Sequence, residues 1–259
     1  MNRIYFAFAA VLLFTAVVFF SCFGSRQAVI QGKKYTLTPF TKSINYKDAA
    51  INALVYNDGK MNFDISGTSY KLGEQTTDAP LKMCANSAQG QHIHVIVDNK
   101  PYDAKYQSAF DYDITDGDHY FLAFLSRSYH ESIKTVPAYK AMKVNVKNKN
   151  FIGSQNITTP MLFYSRPKGN YVGEAETKKV MLDFYPVNAS IAKNQYRVKA
   201  EINDETFILD KWQPYYIEGL PMGDNKIKLT LIDKTGETVN TPLNPVERVF
   251  KLMADPAKG

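Results

Sequence analysis

The chain is expected to be all-β: two tandem antiparallel sandwiches of immunoglobulin or fibronectin III type behind an N-terminal signal helix. Three observations predict this. Runs such as Lys226-Ile227-Lys228-Leu229-Thr230-Leu231 alternate polar and apolar residues, so one face is buried and the other wet. After residue 22 no stretch carries a helical apolar period, and Gly59, Gly67, Gly73, Gly90, Pro101 and Gly117 punctuate the chain at the spacing of short strands. The 17 Tyr and 16 Phe favour pleated, half-buried surfaces.

The N-terminus reads as a signal segment, residues 1–21. Asn2 and Arg3 precede an uncharged apolar run over residues 4–20, the pattern of a secretory signal. Phe19-Phe20-Ser21-Cys22 then resembles the bacterial lipobox, with Phe19 where that pattern usually has Leu. There a small residue precedes a cysteine that is acylated and becomes the new N-terminus. The resemblance implies lipid on Cys22 and a place in the cell envelope. Phe23 stands where enterobacterial lipoproteins retained at the inner membrane carry Asp, which points to the outer membrane. An uncleaved anchor is the alternative, since about 20 apolar residues span a bilayer. Residues 22–45 then read as a tether with a first strand. The formal charge is +6, with basic and acidic residues interspersed. That is a solvated surface without a basic stripe, so nucleic acid is not an expected partner.

An internal comparison divides the remainder into modules at 46–150 and 151–255. The first copy reads His94-Val95-Ile96-Val97-Asp98, then Asp116-Gly117-Asp118-His119, then Tyr120-Phe121-Leu122-Ala123-Phe124-Leu125. The second reads Lys199-Ala200-Glu201-Ile202-Asn203, then Met222-Gly223-Asp224-Asn225, then Lys226-Ile227-Lys228-Leu229-Thr230-Leu231. Lys147-Asn148-Lys149-Asn150 marks the expected join, although Met161-Leu162-Phe163-Tyr164 also suits the opening strand of the second module.

Two stretches carry family resemblances. The segment Met161-Leu162-Phe163-Tyr164-Ser165-Arg166-Pro167-Lys168-Gly169-Asn170-Tyr171-Val172 resembles the opening of many bacterial envelope modules, where an apolar strand leads into a Pro-x-Gly-x-x-Val turn. Gly90-Gln91-His92-Ile93-His94-Val95-Ile96-Val97-Asp98, followed downstream by Gly117-Asp118-His119, is similar to a Gly-His-His-His-containing envelope domain family. The mature chain as a whole resembles flavobacterial-type envelope lipoproteins with tandem Ig-like modules. The resemblance covers most of residues 50–254 and implies an Ig-like fold and export. It implies no settled activity.

All four histidines fall between His92 and His130, in the first copy. Their counterparts in the second are Arg197 for His92, Lys199 for His94 and Asn225 for His119. On a strand, His92 and His94 share a face, with Cα atoms about 7 Å apart. Two imidazoles at that distance can share a metal, with Cu and Zn as candidates. The third ligand depends on strand count. Two short strands between the His92 strand and the next long one make the outer pair antiparallel and bring His130 close; a single one brings His119. Met83 and Cys84, just upstream, are candidate soft ligands, and a lone Cys84 also reads as a buried core thiol.

The segment Ser126-Arg127-Ser128-Tyr129-His130-Glu131-Ser132-Ile133-Lys134 partly resembles the Ser-Arg-x-His signature of phosphopeptide-binding forkhead-associated domains, with one position too many before the histidine. Arg127 and Lys134 are therefore candidate anion ligands, against the plainer reading of a polar loop. Trp212 reads as a carbohydrate or peptide platform or as a plug in a core or seam. No nucleophile elbow, paired-Cys zinc pattern or Gly-rich phosphate loop occurs. The expectation is a non-enzymatic, lipid-anchored binding or assembly module, with an envelope protein or peptide as partner. The alternatives are a metal-binding protein and a phosphopeptide or anion binder.

Overall fold

A computed structural model describes residues 34–256. The signal segment, Cys22 and the first half of the expected tether lie outside the described residues. Strand β1 (Thr36–Pro39) comes first. The first sandwich follows with β2 (Ala50–Asn57), β3 (Lys60–Ser66), β4 (His92–Val97), β5 (Asp103–Lys105), β6 (Ala109–Asp111), β7 (Gly117–Ser126), β8 (Tyr139–Lys147) and β9 (Asn150–Asn156). The second contains β10 (Met161–Arg166), β11 (Gly169–Val172), β12 (Val180–Val187), β13 (Arg197–Ile202), β14 (Glu205–Leu209), β15 (Tyr215–Glu218), β16 (Gly223–Ile232) and β17 (Val246–Met253). A one-turn helix, α1 (Glu174–Thr177), links β11 to β12.

The sheets are β2-β3-β6 and β5-β4-β7-β8-β9 in the first sandwich. In the second they are β10-β12-β15-β1 and β14-β13-β16-β17-β11. Setting aside the added strands β9, β11 and β1, both copies follow one plan. The first, second and fifth strands make one sheet; the third, fourth, sixth and seventh make the other. This is the fibronectin III arrangement, present twice, and the all-β expectation holds. Each copy has its own core, with Ile93, Val95, Phe121 and Leu125 in the first and Val198, Ala200, Leu229 and Leu231 in the second.

The repeat has a physical basis at one corner. Asp98 sits at positive φ, and its carboxylate accepts from the Tyr120 N–H (2.9 Å) and from His119 Nδ1 (2.6 Å). His119 Nε2 lies 2.8 Å from the Thr115 carbonyl oxygen. In the second copy Asn203, also at positive φ, accepts from the Lys226 N–H (2.8 Å) and donates to Asn225 (3.0 Å). Asn225 in turn donates to the Pro221 carbonyl at 2.8 Å. His119 and Asn225 are the same brace made from different side chains.

Two boundaries differ from the sequence reading. The first strand expected within 22–45 forms at Thr36–Pro39 but joins the second sandwich: β1 pairs antiparallel with β15, Thr36 opposite Glu218 and Pro39 opposite Tyr215, and Tyr35 is buried in the second core. The expected join at residue 150 is instead a hairpin. Asn148 and Lys149 both take positive φ between Lys147 and Asn150, which face each other across β8 and β9. That is the chemistry of a tight two-residue turn. The first sandwich therefore runs on to Asn156, and β10 opens the second at Met161.

Strand β4 shows what lies between the modules. Ile93, Val95 and Val97 face their own core. The opposite face packs on the second sandwich, where Ile96, Tyr102, Leu122 and Phe124 meet Met161, Phe163, Tyr185 and Val187. All six residues of β4 are therefore buried, whereas its counterpart β13 alternates buried with half-buried positions. Asn99 clasps β10 by donating to the Leu162 carbonyl and accepting from the Tyr164 N–H, each at 2.8 Å. Trp212 lines this seam: its indole donates to the Phe184 carbonyl at 2.9 Å and its ring meets Tyr185 edge-on. Among the described residues no helix is long and apolar enough to cross a membrane.

Candidate metal centre

His92 and His94 lie on the seam face of β4, both at 0% exposure. Strands β4 and β7 run antiparallel, with His92 opposite Ser126. The turn after β7 then carries His130 back over His92. That turn is closed by the His130 N–H on the Arg127 carbonyl (2.9 Å) and the Arg127 N–H on the Glu131 carbonyl (3.0 Å). His130 itself takes φ 69°, a left-handed conformation that a non-glycine residue holds only when its surroundings impose it.

The three rings bring a nitrogen each to one place. His92 Nε2 is 2.9 Å from His94 Nε2 and 2.9 Å from His130 Nδ1, and all three ligand atoms lie within 4.8 Å of one another. Among the described residues this is the one grouping of three or more His, Cys, Asp or Glu ligand atoms. His119 does not join it, since both of its nitrogens face the oxygen acceptors of the corner brace.

Proton accounting shows why the cluster is unusual. His92 Nδ1 lies 2.8 Å from the Gly90 carbonyl oxygen, which can only accept. Nδ1 therefore carries the proton, and Nε2 turns a bare lone pair toward both neighbours. One lone pair serves one good hydrogen bond. If both neighbours present N–H groups, they compete for it. If either presents a lone pair, two lone pairs meet at 2.9 Å. A cation shared by three unprotonated nitrogens removes the conflict, and the remaining contacts match the outer partners that orient metal-binding imidazoles. These are the Gly90 carbonyl for His92 and Ser165 Oγ, 3.3 Å from His94 Nδ1.

The surroundings keep the rings neutral. Burial is the main cause, holding His92 down to about 4 and His94 and His130 well below the usual imidazole range. Arg166 and Lys168 act in the same direction on all three. Neutral imidazole is the form that binds a metal ion. The Tyr102 ring lies flat on His94, centroids 3.7 Å apart at 6°, and its hydroxyl is 3.2 Å from His130 Nδ1. Tyr102, Ser165, Arg166 and Lys168 went unnoticed in the sequence. Ser165, Arg166 and Lys168 come from the other module, and no local spacing announces them.

The other expected ligands stand elsewhere. Cys84 is buried among Ala79, Tyr129, Met181 and Tyr216, and burial pushes its thiol up to about 12. This is the core-cysteine reading rather than a metal thiolate. Met83 is 57% exposed and outside the three-histidine set. Arg127 and Lys134 do not form an anion site, because their charges serve internal acceptors. The Arg127 guanidinium donates to the Ile44 and Ser132 carbonyls at 3.1 and 3.2 Å and lies 3.6 Å from the Glu131 carboxylate. Lys134 is 2.8 Å from the carboxylate of fully buried Asp183, which needs that counter-charge.

No protein family and no curated protein sequence matches the chain. Several solved structures do. The fibronectin(III)-like modules of Clostridium thermocellum CbhA match at 15% identity and TM-score 0.27, over 38% of this chain and all of that one. The central fibronectin-III array of RIM-binding protein matches at 9% and 0.28, over 83% and 72%. The chicken interferon gamma receptor alpha chain matches at 9% and 0.24, over 78% and 98%. The strand order itself carries the fold class.

Proposed function

We propose that this protein is a non-enzymatic envelope module that holds one transition-metal ion, Cu or Zn, at the seam between its sandwiches. The observation that carries this reading is the convergence of His92 Nε2, His94 Nε2 and His130 Nδ1 within 4.8 Å, where one lone pair on His92 Nε2 faces two neighbours and cannot satisfy both. Imidazole suits both metals. The half-buried His130 forms the open side of the site, where an ion enters. A non-catalytic role is supported by the surroundings: Asp183 is held by Lys134 and Ser132, and the Glu131 carboxylate lies 3.6 Å from the Arg127 guanidinium.

In the same reading, lipid on Cys22 holds the protein at a membrane surface, in the manner of the envelope lipoproteins it resembles. The 14 residues from Cys22 to Thr36 reach at most about 50 Å when extended. Because β1 is an edge strand of the second sandwich, that sandwich is the one tethered. The test is calorimetric titration of residues 23–259 with Zn²⁺ and, without oxygen, with Cu⁺. One equivalent of metal should bind the natural sequence and fail to bind the His92→Ala/His94→Ala protein. Equal heats from both proteins would remove the histidines from the site.

A further inference from the structure

We infer that the ion preferred at the seam is monovalent copper rather than a divalent metal, because the site supplies no negative charge and is bordered by two cations. This deepens the metal reading above and rests on it. The donors are three neutral imidazole nitrogens, with no carboxylate or thiolate among them. The acids beside the cluster in sequence and across the seam have their own partners: Asp103, next to Tyr102, accepts from the Tyr112 hydroxyl at 3.0 Å, Glu131 faces Arg127, and Asp183 holds Lys134.

The positive charges are built in. Arg166 is 5% exposed; its Nε and Nη2 donate to the Tyr171 hydroxyl at 3.2 and 2.6 Å. Its Nη1 is buried without a protein partner, and no carboxylate lies within ion-pair distance of it among the described residues. Lys168 places its ammonium 4.1 Å from the Tyr102 ring centroid, on the ring that stacks on His94, and donates to the Tyr102 carbonyl. Arg166 directly follows Ser165, whose hydroxyl lies 3.3 Å from His94 Nδ1, and Lys168 caps the ring stacked on His94, so both cations stand beside the cluster.

Ion charge then decides. Repulsion from fixed charges scales with the charge of the ion, so a monocation meets half of what a dication meets. The cost of removing an ion from water scales with the square of its charge, so a monocation incurs about a quarter. The aromatic flanks formed by Tyr102, Tyr106 and Phe124 do nothing to offset that difference. Three neutral histidines alone can also hold Zn²⁺, so the discrimination comes from the positive charges of Arg166 and Lys168 beside them. Cu⁺ is satisfied by neutral nitrogen donors and incurs the smaller penalty.

The experiment is a pair of anaerobic competitions on residues 23–259, one with a chromophoric Cu⁺ chelator and one with a chromophoric Zn²⁺ chelator. They are repeated on Arg166→Met and Lys168→Met. The natural sequence should hold Cu⁺ at least about a hundredfold tighter than Zn²⁺, the difference that one to two charges make in a poorly screened interior. Each substitution should narrow that ratio about tenfold by favouring the dication. Lys168→Met serves where Arg166→Met does not fold, because Lys168 is only half-buried. Zn²⁺ bound as tightly as Cu⁺, or a ratio unmoved in a folded variant, overturns the charge argument and leaves the metal site standing. Failure of both metals to bind overturns the metal site as well.

Discussion

His92 donates its Nδ1 proton to the Gly90 carbonyl and leaves Nε2 bare, and everything at the site follows from that one assignment. Its position was legible. Period-two alternation placed His92 and His94 on one face, and the count of two short strands selected His130 over His119, as β5 and β6 bear out. The asymmetry between the copies was legible as a fact but incomplete as a reason. It reflects burial as well as chemistry, because this face of β4 is the seam and the same face of β13 is half-exposed. The contributions of Ser165 and Arg166 were not legible, since only the docking of two modules brings them near. A pH dependence follows in the metal-free protein. Burial depresses the folded histidines, His92 to about 4, while an unfolded histidine titrates near 6.5. The unfolded chain therefore binds more protons between those values, so stability is fully present above about pH 6.5 and is lost as pH falls toward 4. Urea midpoints should drop across that window, and less so in His92→Gln. A flat profile in the natural sequence would contradict the buried, neutral assignment.

At the scale of elements, the turn that presents His130 depends on Arg127. Its guanidinium gathers the Ile44 and Ser132 carbonyls beneath the turn and faces Glu131. The sequence offered this arginine as an anion ligand because charge and hydroxyls cluster there. A strand of text cannot distinguish a cation aimed at solvent from one folded under its own loop. Arg127→Ala removes the donors of two carbonyls and leaves Glu131 buried beside no cation, so it should cost about 3 kcal/mol. Metal affinity should fall with it as His130 loses its mount. Thermal melts and metal titration check both effects; an unchanged melting temperature would return Arg127 to the surface. The β8–β9 turn shows the converse error. Asn148 and Lys149 have linker-like composition, yet a hairpin at positive φ needs similar residues.

At the scale of the whole molecule, two fibronectin III-like sandwiches share a buried seam that includes aromatic, ionic and histidine groups. The fold class and the repeat were readable because each copy writes the same turn chemistry, as Asp98 with His119 and as Asn203 with Asn225. The route of the chain was not readable. Strand β1 precedes the first sandwich in sequence but pairs with the second, and a short exposed strand carries no signal for its distant partner. Under the proposed lipidation, the tether from Cys22 leads into β1 and so into the second sandwich. Cys22→Ser should release the protein from washed membranes into the soluble fraction. Retention of the Cys22→Ser protein would instead support an uncleaved apolar anchor.

The central claim concerns three nitrogens around one ion, and X-ray absorption at the metal edge reads it directly. The metal-loaded protein should show a first shell of three nitrogen scatterers at about 2.0 Å with the outer-shell pattern of imidazole. A first shell containing sulfur would mean that Cys84 or Met83 binds the ion, and a shell of oxygen alone would place it away from His92, His94 and His130.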